Sequence, residues 1–270
     1  MSAFLFACSI LYNTLMNILI SNDDGIDAVG LRTLVKILSE IADVYICAPD
    51  AEKSGFAHHF TLKGSMKIEE REVEGAKKAY ALSATPADCV HCGLLFIFKD
   101  IPFDLVISGI NRGWNVSSDV VYSGTVAAAR EGFIQGIPSI AISLNTYEKA
   151  DYSFPAEVAK DIALRYLNDP DCSRYFLNVN VPFLPKDECK GYAICEANGY
   201  IRYDEKYFYE EKDGETYITT GKCETEIIPD ENNECDICMV NDGYITISPL
   251  DNDEIVHAYI GNAKAIVKDL

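Results

Sequence analysis

The sequence predicts an α/β fold built on a mostly parallel sheet, and three observations carry that prediction. Short apolar runs of the strand type recur along the chain: Ile18-Leu-Ile20, Val44-Tyr-Ile-Cys-Ala48, Asp104-Leu-Val-Ile-Ser108, Ile137-Pro-Ser-Ile-Ala-Ile-Ser143 and Tyr175-Phe-Leu-Asn-Val-Asn-Val181. Helical patterns stand between them, first Leu31, Leu34, Val35, Leu38 and Ile41, then segments opening at Thr85-Pro86, near Tyr122, and over roughly 153–168. Strands that alternate with helices in this way form parallel sheets with helices on both faces. The chain has 270 residues, 49% of them hydrophobic, enough for one large α/β domain or two small ones.

The first strand leads into the most informative stretch, Asn17-Ile-Leu-Ile-Ser-Asn-Asp-Asp-Gly-Ile-Asp27. It reads as strand, tight turn and helix, with Asp23 and Asp24 at the carboxyl end of the strand, where ligands bind in open α/β sheets. A dinucleotide turn would carry Gly-x-Gly-x-x-Gly so that backbone can approach pyrophosphate. Two carboxylates would instead repel a phosphate unless a cation lies between, and hard oxygens suit Mg²⁺, Mn²⁺ or Ca²⁺. The pair therefore either holds a divalent metal that takes phosphate as a further ligand, or one Asp caps the helix and the other is solvated.

Later segments add candidates in order. The loop after Ala48 carries Ser54-Gly55 and then His58-His59, which serve either as acid/base groups or as loop histidines without a role. Residues 64–83 form a small excursion with two strand-like pieces. Thr85-Pro-Ala-Asp88 supplies an N-cap, a proline for the first helical position and an acid for the positive helix end, while His91 packs or faces solvent. A polar loop, Gly109 to Asp119, precedes Tyr122-Ser-Gly-Thr125, where two hydroxyls and free N–H groups at a helix start make an anion site. Tyr203 to Thr220, with Asp213-Gly214 in the middle, is a hairpin projecting from the core, and aromatic arms of this kind clasp partner subunits. Gly243-Tyr-Ile-Thr-Ile-Ser-Pro249 is a last strand, followed by a short C-terminal helix.

Composition limits the function classes. The net charge of −19 excludes a basic nucleic-acid surface, although a metal can reverse the field locally for a free mononucleotide. Ten cysteines in a chain of this length fit reduced thiols in the cytoplasm. Cys89/Cys92 and Cys235/Cys238 are Cys-x-x-Cys pairs, but a Cys₄ zinc site would need them to meet across a long gap, with the first pair inside a helix. Residues 1–15 are apolar, carry no Lys or Arg, and are too short to span a bilayer. They are expected to be an upstream extension before a start at Met16, with a secretory signal as the alternative.

Several stretches together resemble one family, the SurE-type survival proteins, which are metal-dependent 5′-nucleotidases. They are Ile18-Leu-Ile-Ser-Asn-Asp-Asp-Gly-Ile, Ala48-Pro-Asp with Ser54-Gly55, Thr85-Pro-Ala-Asp-Cys-Val, Ile107-Ser-Gly-Ile-Asn-Arg-Gly-Trp-Asn, Asp119-Val-Val-Tyr-Ser-Gly-Thr-Val-Ala-Ala-Ala, Asn178-Val-Asn-Val-Pro and Gly243-Tyr-Ile-Thr-Ile-Ser-Pro-Leu. The resemblance runs in the family's order from Met16 to the C-terminus. It implies a Rossmann-like core over 16–185, and over 186–270 a hairpin arm, final strand and C-terminal segment that build a homodimer or homotetramer. It implies one Mg²⁺ or Mn²⁺ held by Asp23, Asp24, Ser54 and Asn111, with Asp23, Asp24 and Asn111 catalytic, and phosphate contacts from Asn115, Ser123, Gly124 and Thr125. The expected substrates are nucleoside monophosphates, carrying the phosphate at the 5′ and also the 3′ position, with no nucleic-acid duplex and no membrane as partner. Two departures stand out: Ser117 where the family has glycine after Asn115, and His58-His59 where it has Ser or Asn. They keep a silent nucleotide or metal sensor as the alternative. A dinucleotide-dependent oxidoreductase is disfavoured by the missing glycines of the first turn.

Overall fold

The protein is described by a computed structural model covering residues 16–229 and 234–252. The expected leader, 1–15, and the expected C-terminal helix lie outside the described residues.

A nine-stranded sheet runs in the order β3-β4-β2-β1-β5-β6-β7-β11-β8. Strands β1 (Met16–Ser21), β2 (Ala42–Pro49), β4 (Ala76–Leu82), β5 (Leu105–Arg112), β6 (Ser139–Asn145) and β7 (Phe176–Pro182) are mutually parallel. The outer strands β3 (Ile68–Glu70) and β11 (Ile245–Leu250) pair antiparallel with β4 and β7, and β8 (Tyr192–Ile194) closes the far edge. Residues 64–83, expected as a separate excursion, thus supply two strands of the main sheet. Ala79, Ala81 and Leu82 are buried there, and β4 pairs parallel with β2.

Side-chain alternation along β1 divides the core in two. Ile18 and Ile20 pack beneath α1 (Val29–Leu38) and α5 (Ser153–Tyr166), together with Leu31, Leu34, Val35, Leu38 and Ile162. Leu19 points the other way, to Cys89 and Val90 of α2 (Pro86–Cys92) and Ala128 of α4 (Gly124–Ile134). A central strand apolar on both faces needs helices on both, which is why Ile18-Leu-Ile20 reads as an unbroken apolar run. Helix α2 starts as its sequence predicts: Thr85 Oγ1 accepts the Asp88 N–H at 3.2 Å, and the Asp88 carboxylate accepts the Thr85 N–H at 3.3 Å, with Pro86 in the first turn.

A separate two-stranded sheet, β9 (Tyr200–Lys212) with β10 (Glu215–Ile228), forms the expected hairpin, longer at both ends than the sequence suggests. Asp213 and Gly214, at φ 56° and 81°, make the tight turn. Two short helices were not foreseen: α3 (Asp119–Tyr122), just ahead of α4, and α6 (Asp236–Asn241), which holds the second Cys-x-x-Cys.

Candidate active site

The chain leaves β1 for β2 on one side, while β5 lies on the other side of β1, so a crevice opens at the carboxyl ends of β1 and β5. Asp23 and Asp24 sit in that crevice. The turn closes through Asn22, whose amide donates to Gly25 O at 2.9 Å, and Gly25 has φ 97°, a conformation glycine adopts without strain.

Asp23 is only 4% exposed. The Thr125 hydroxyl, on the first turn of α4, donates to Asp23 Oδ1. The helix comes so close that a Cβ on Gly124 would lie 2.9 Å from Asp23 Cβ and 3.1 Å from Pro86 Cγ, which only glycine avoids. Burial pushes the Asp23 carboxyl up to about 7, against the lowering effect of the Thr125 bond, and the Asp24 charge adds to the rise. Burial also raises Asp24, against the Arg112 backbone N–H, which donates to its Oδ2 at 3.0 Å. Two desolvated carboxylates in one turn, each with raised proton affinity, are relieved by a cation.

The predicted residues gather here, though not on one wall. Asp23, Ser54, Asn111, Asn115 and Ser123 line a cleft of about 1110 Å³. Asp24 lines an adjoining cavity of about 360 Å³ with Glu52 and Tyr152, and Arg112 lines both. Asn111 donates its amide N–H to Gly113 O at 2.9 Å, which leaves its oxygen for a ligand. Ser54 is exposed and donates to Glu52 at 3.0 Å. Ser123 is the N-cap of α4, its Oγ accepting the Val126 N–H at 3.0 Å, and it also faces the cleft. Gly124 and Thr125 are buried against Asp23, so Thr125 acts as a support for the carboxylate. The donor set of two carboxylates, a hydroxyl and an amide oxygen is hard and suits Mg²⁺ or Mn²⁺. Among the described residues no group of three or more His, Cys, Asp or Glu is arranged to hold a metal.

Asn115 is held by groups that its own sequence neighbourhood does not reveal. Its N–H donates to Asn180 Oδ1 at 2.7 Å, its carbonyl accepts from Asn178 and Asn180 at 2.7 and 3.1 Å, and its amide donates to Ser143 Oγ at 2.8 Å. The legible signal was Asn178-Val-Asn180, two polar residues on one face of a strand otherwise apolar. Ser117 does adopt positive φ, at 49°. Asp236 of α6 compensates: it accepts the Ser117 N–H at 3.1 and 3.0 Å, and the Ser117 hydroxyl lies 2.9 Å from Asp236 Oδ1 and 2.6 Å from Asn198 O. Burial raises the Asp236 carboxyl to about 6, against these bonds.

The two histidines separate. His58 turns from the cleft and meets Glu131 of α4 at 3.0 Å, and His91 meets the same carboxylate at 2.8 Å. Burial works to raise Glu131, but the bonds from His58, His91 and Gln135 outweigh it and bring the carboxyl down to about 2. His59 is exposed, its carbonyl accepting the Thr85 hydroxyl at 2.7 Å. These contacts fasten the Ser54 loop to α2 and α4. Aromatic side chains also reach the cleft, Trp114 from the loop after β5, Tyr122 from the end of α3, Tyr147, and Tyr203 from the arm, whose hydroxyl donates to Asp119 at 2.7 Å. No motif marked them as a group.

Comparison with known proteins identifies relatives over most of the chain. The family described as Survival protein SurE matches residues 18–203. A 5′-nucleotidase SurE from Petrotoga mobilis is 42% identical over 241 residues, 87% of this chain and 92% of the relative. One from Clostridium botulinum strain Alaska E43 is 41% identical over 246 residues, covering 88% and 94%. The crystal structure of the SurE protein from Aquifex aeolicus superposes with a TM-score of 0.77 at 33% identity, over 93% of this chain and 99% of that one. With its acid turn at the sheet's switch point and a match over most of its length, the chain belongs to the SurE family.

Proposed function

We propose that the protein is a metal-dependent phosphomonoesterase that hydrolyses nucleoside monophosphates to nucleoside and phosphate, as a 5′-nucleotidase that also accepts 3′-monophosphates. The observation that carries this is the meeting of Asp23, Ser54 and Asn111 with the α4 N-terminus on one aromatic-walled cleft. The relatives named 5′-nucleotidase SurE support it. Asp23, Asp24, Ser54 and Asn111 would hold one Mg²⁺ or Mn²⁺, and when bound that ion supplies Lewis-acid polarisation of the phosphate ester.

The chain's own groups supply the rest. Asn115, Ser123 and the backbone at Gly124-Thr125 hold the phosphate, helped by the positive end of α4. Arg112, which lines both cavities, offers a positive charge as negative charge develops on the leaving oxygen. Asp24, less buried than Asp23, orients the attacking water. Trp114, Tyr122, Tyr147 and Tyr203 accept the nucleoside by stacking. Exposed Tyr207, Phe208, Tyr209 and Ile218 on the arm support assembly as a homodimer or homotetramer. The described cysteines are all unbridged, which supports a cytoplasmic site of action. Among the described residues no helix is long and apolar enough to cross a membrane.

The test is phosphate release from nucleoside 5′- and 3′-monophosphates with Mg²⁺, Mn²⁺ or EDTA, for wild type and Asp23→Ala. Release that needs the metal and is lost in the variant, with its circular dichroism unchanged, is the expected result. Nucleotide binding without release under any metal would overturn the enzyme and leave a sensor.

A further inference from the structure

The second Cys-x-x-Cys pair lies outside the proposed chemistry yet one contact away from its loop. Neither Cys235 nor Cys238 is in a disulfide, and their sulfurs lie 3.1 Å apart. Between them in sequence stands Asp236, fully buried, whose carboxylate takes the Ser117 N–H and lies against its hydroxyl. Ser117 is the strained position, at φ 49°, two residues beyond the phosphate-loop Asn115. The carboxylate that holds this turn is thus carried on a backbone segment bounded by two sulfurs already in contact.

We propose that Cys235 and Cys238 form a reversible disulfide, a modification site that controls the Ser117 turn through Asp236. Cys235 is fully buried and Cys238 is half-buried, so the reaction enters at Cys238. Its thiolate attacks a low-molecular-weight disulfide, forming a mixed disulfide and releasing one thiol. The Cys235 sulfur then attacks the Cys238 sulfur and releases the second thiol. The two cysteines lose two electrons and two protons, and the small disulfide gains both. Closing the bond brings the sulfurs from 3.1 Å to about 2.05 Å and draws the first turn of α6 with them. The Asp236 carboxylate shifts, and the strained Ser117 turn loses its anchor. The reduced protein therefore has the ordered loop and the oxidised protein the loosened one; the consequence for hydrolysis rests on the proposed nucleotidase reading.

The experiment equilibrates the full-length protein with glutathione disulfide or with dithiothreitol. Peptide mass mapping then locates the bridge, and hydrogen–deuterium exchange follows the peptide spanning 115–119. A Cys235–Cys238 bridge is expected, with exchange in that peptide faster by about threefold or more as the opening of the turn becomes easier, reversed by dithiothreitol and absent in Cys238→Ser. Hydrolysis of a nucleoside monophosphate, followed in parallel, falls on oxidation in wild type and not in the variant. No bridge under excess glutathione disulfide, or a bridge with unchanged exchange, overturns the proposal. Because exchange needs no turnover, a protein that hydrolyses nothing in either redox state would defeat the nucleotidase reading while leaving this test in force.

Discussion

The cleft floor and the β9–β10 arm are built by opposite means. Around Asp23, Asn115 and Thr125, polar side chains are almost wholly buried and tied to partners far away in sequence, Asp23 to Thr125 and Asn115 to Asn180. Along the arm nearly every residue is exposed, and the ion pairs, such as Arg202–Glu226 at 3.3 Å and Lys206–Asp204, join residues of the arm to one another. Burial makes each atom of the floor count, because an unpaired polar group there costs its full desolvation penalty. Exposure makes the arm's side chains largely irrelevant to its own fold, since surface pairs contribute little. Aromatic residues kept in such a setting are free to contact something else.

Gly124→Ala should break the floor hardest. Its Cβ would sit 2.9 Å from Asp23 Cβ, so helix or carboxylate must shift. We expect a stability loss of about 1–3 kcal/mol by urea denaturation and a fall of about 100-fold in kcat/KM. Unchanged activity would show that the close approach of α4 does not set the site. Thr125→Val keeps the shape but removes the hydroxyl donated to Asp23. Proton affinity at Asp23 should rise further, and Mg²⁺ or Mn²⁺ affinity, measured by calorimetric titration, should drop by about 10- to 100-fold.

Glu131 tests the fastening of the Ser54 loop by its pH dependence. Its folded carboxyl is held at about 2, below the ordinary 4.5, so its contribution is complete above pH 4.5 and is lost as pH falls from 4.5 towards 2. Glu131→Gln should be less stable than wild type at pH 6, by no more than about 3 kcal/mol, and the gap should close towards pH 2 in denaturation curves. A gap that stays constant with pH would remove the charge from the account. The smallest effect on folding should come from the arm: Tyr209→Ser with Ile218→Ser should change stability by about 0.5 kcal/mol or less. The same pair should lower the assembled mass measured by light scattering, and a mass that does not change would take the arm out of the subunit contact.

This contrast also explains what could be read in advance. Asp23, Asp24 and Gly25 were legible because strand, turn and helix follow one another in sequence, and local physics dictates each. Ser123 was legible as a helix start, and Ser117 as a position under strain. The arm was legible from its Tyr-rich strands and its Asp213-Gly214 turn. The partners of these residues were not. Asp236 lies 119 residues from Ser117, Asn180 lies 65 from Asn115, and Glu131 lies 73 from His58. Nothing in the local pattern around His58 says that it turns away from the cleft, or around Thr125 that its hydroxyl serves Asp23 in place of a phosphate.

The alternating strands and helices, the family, and the residue types at the carboxyl ends of β1 and β5 were all written in the chain, because periodicity, caps and turns are short-range effects. Which groups support which emerged with folding. It set Gly124 against Asp23, two asparagines beneath Asn115, and a carboxylate between two thiols behind Ser117. Buried polar groups take their partners from wherever the sheet order brings them, and that order is set by the packing of the whole chain.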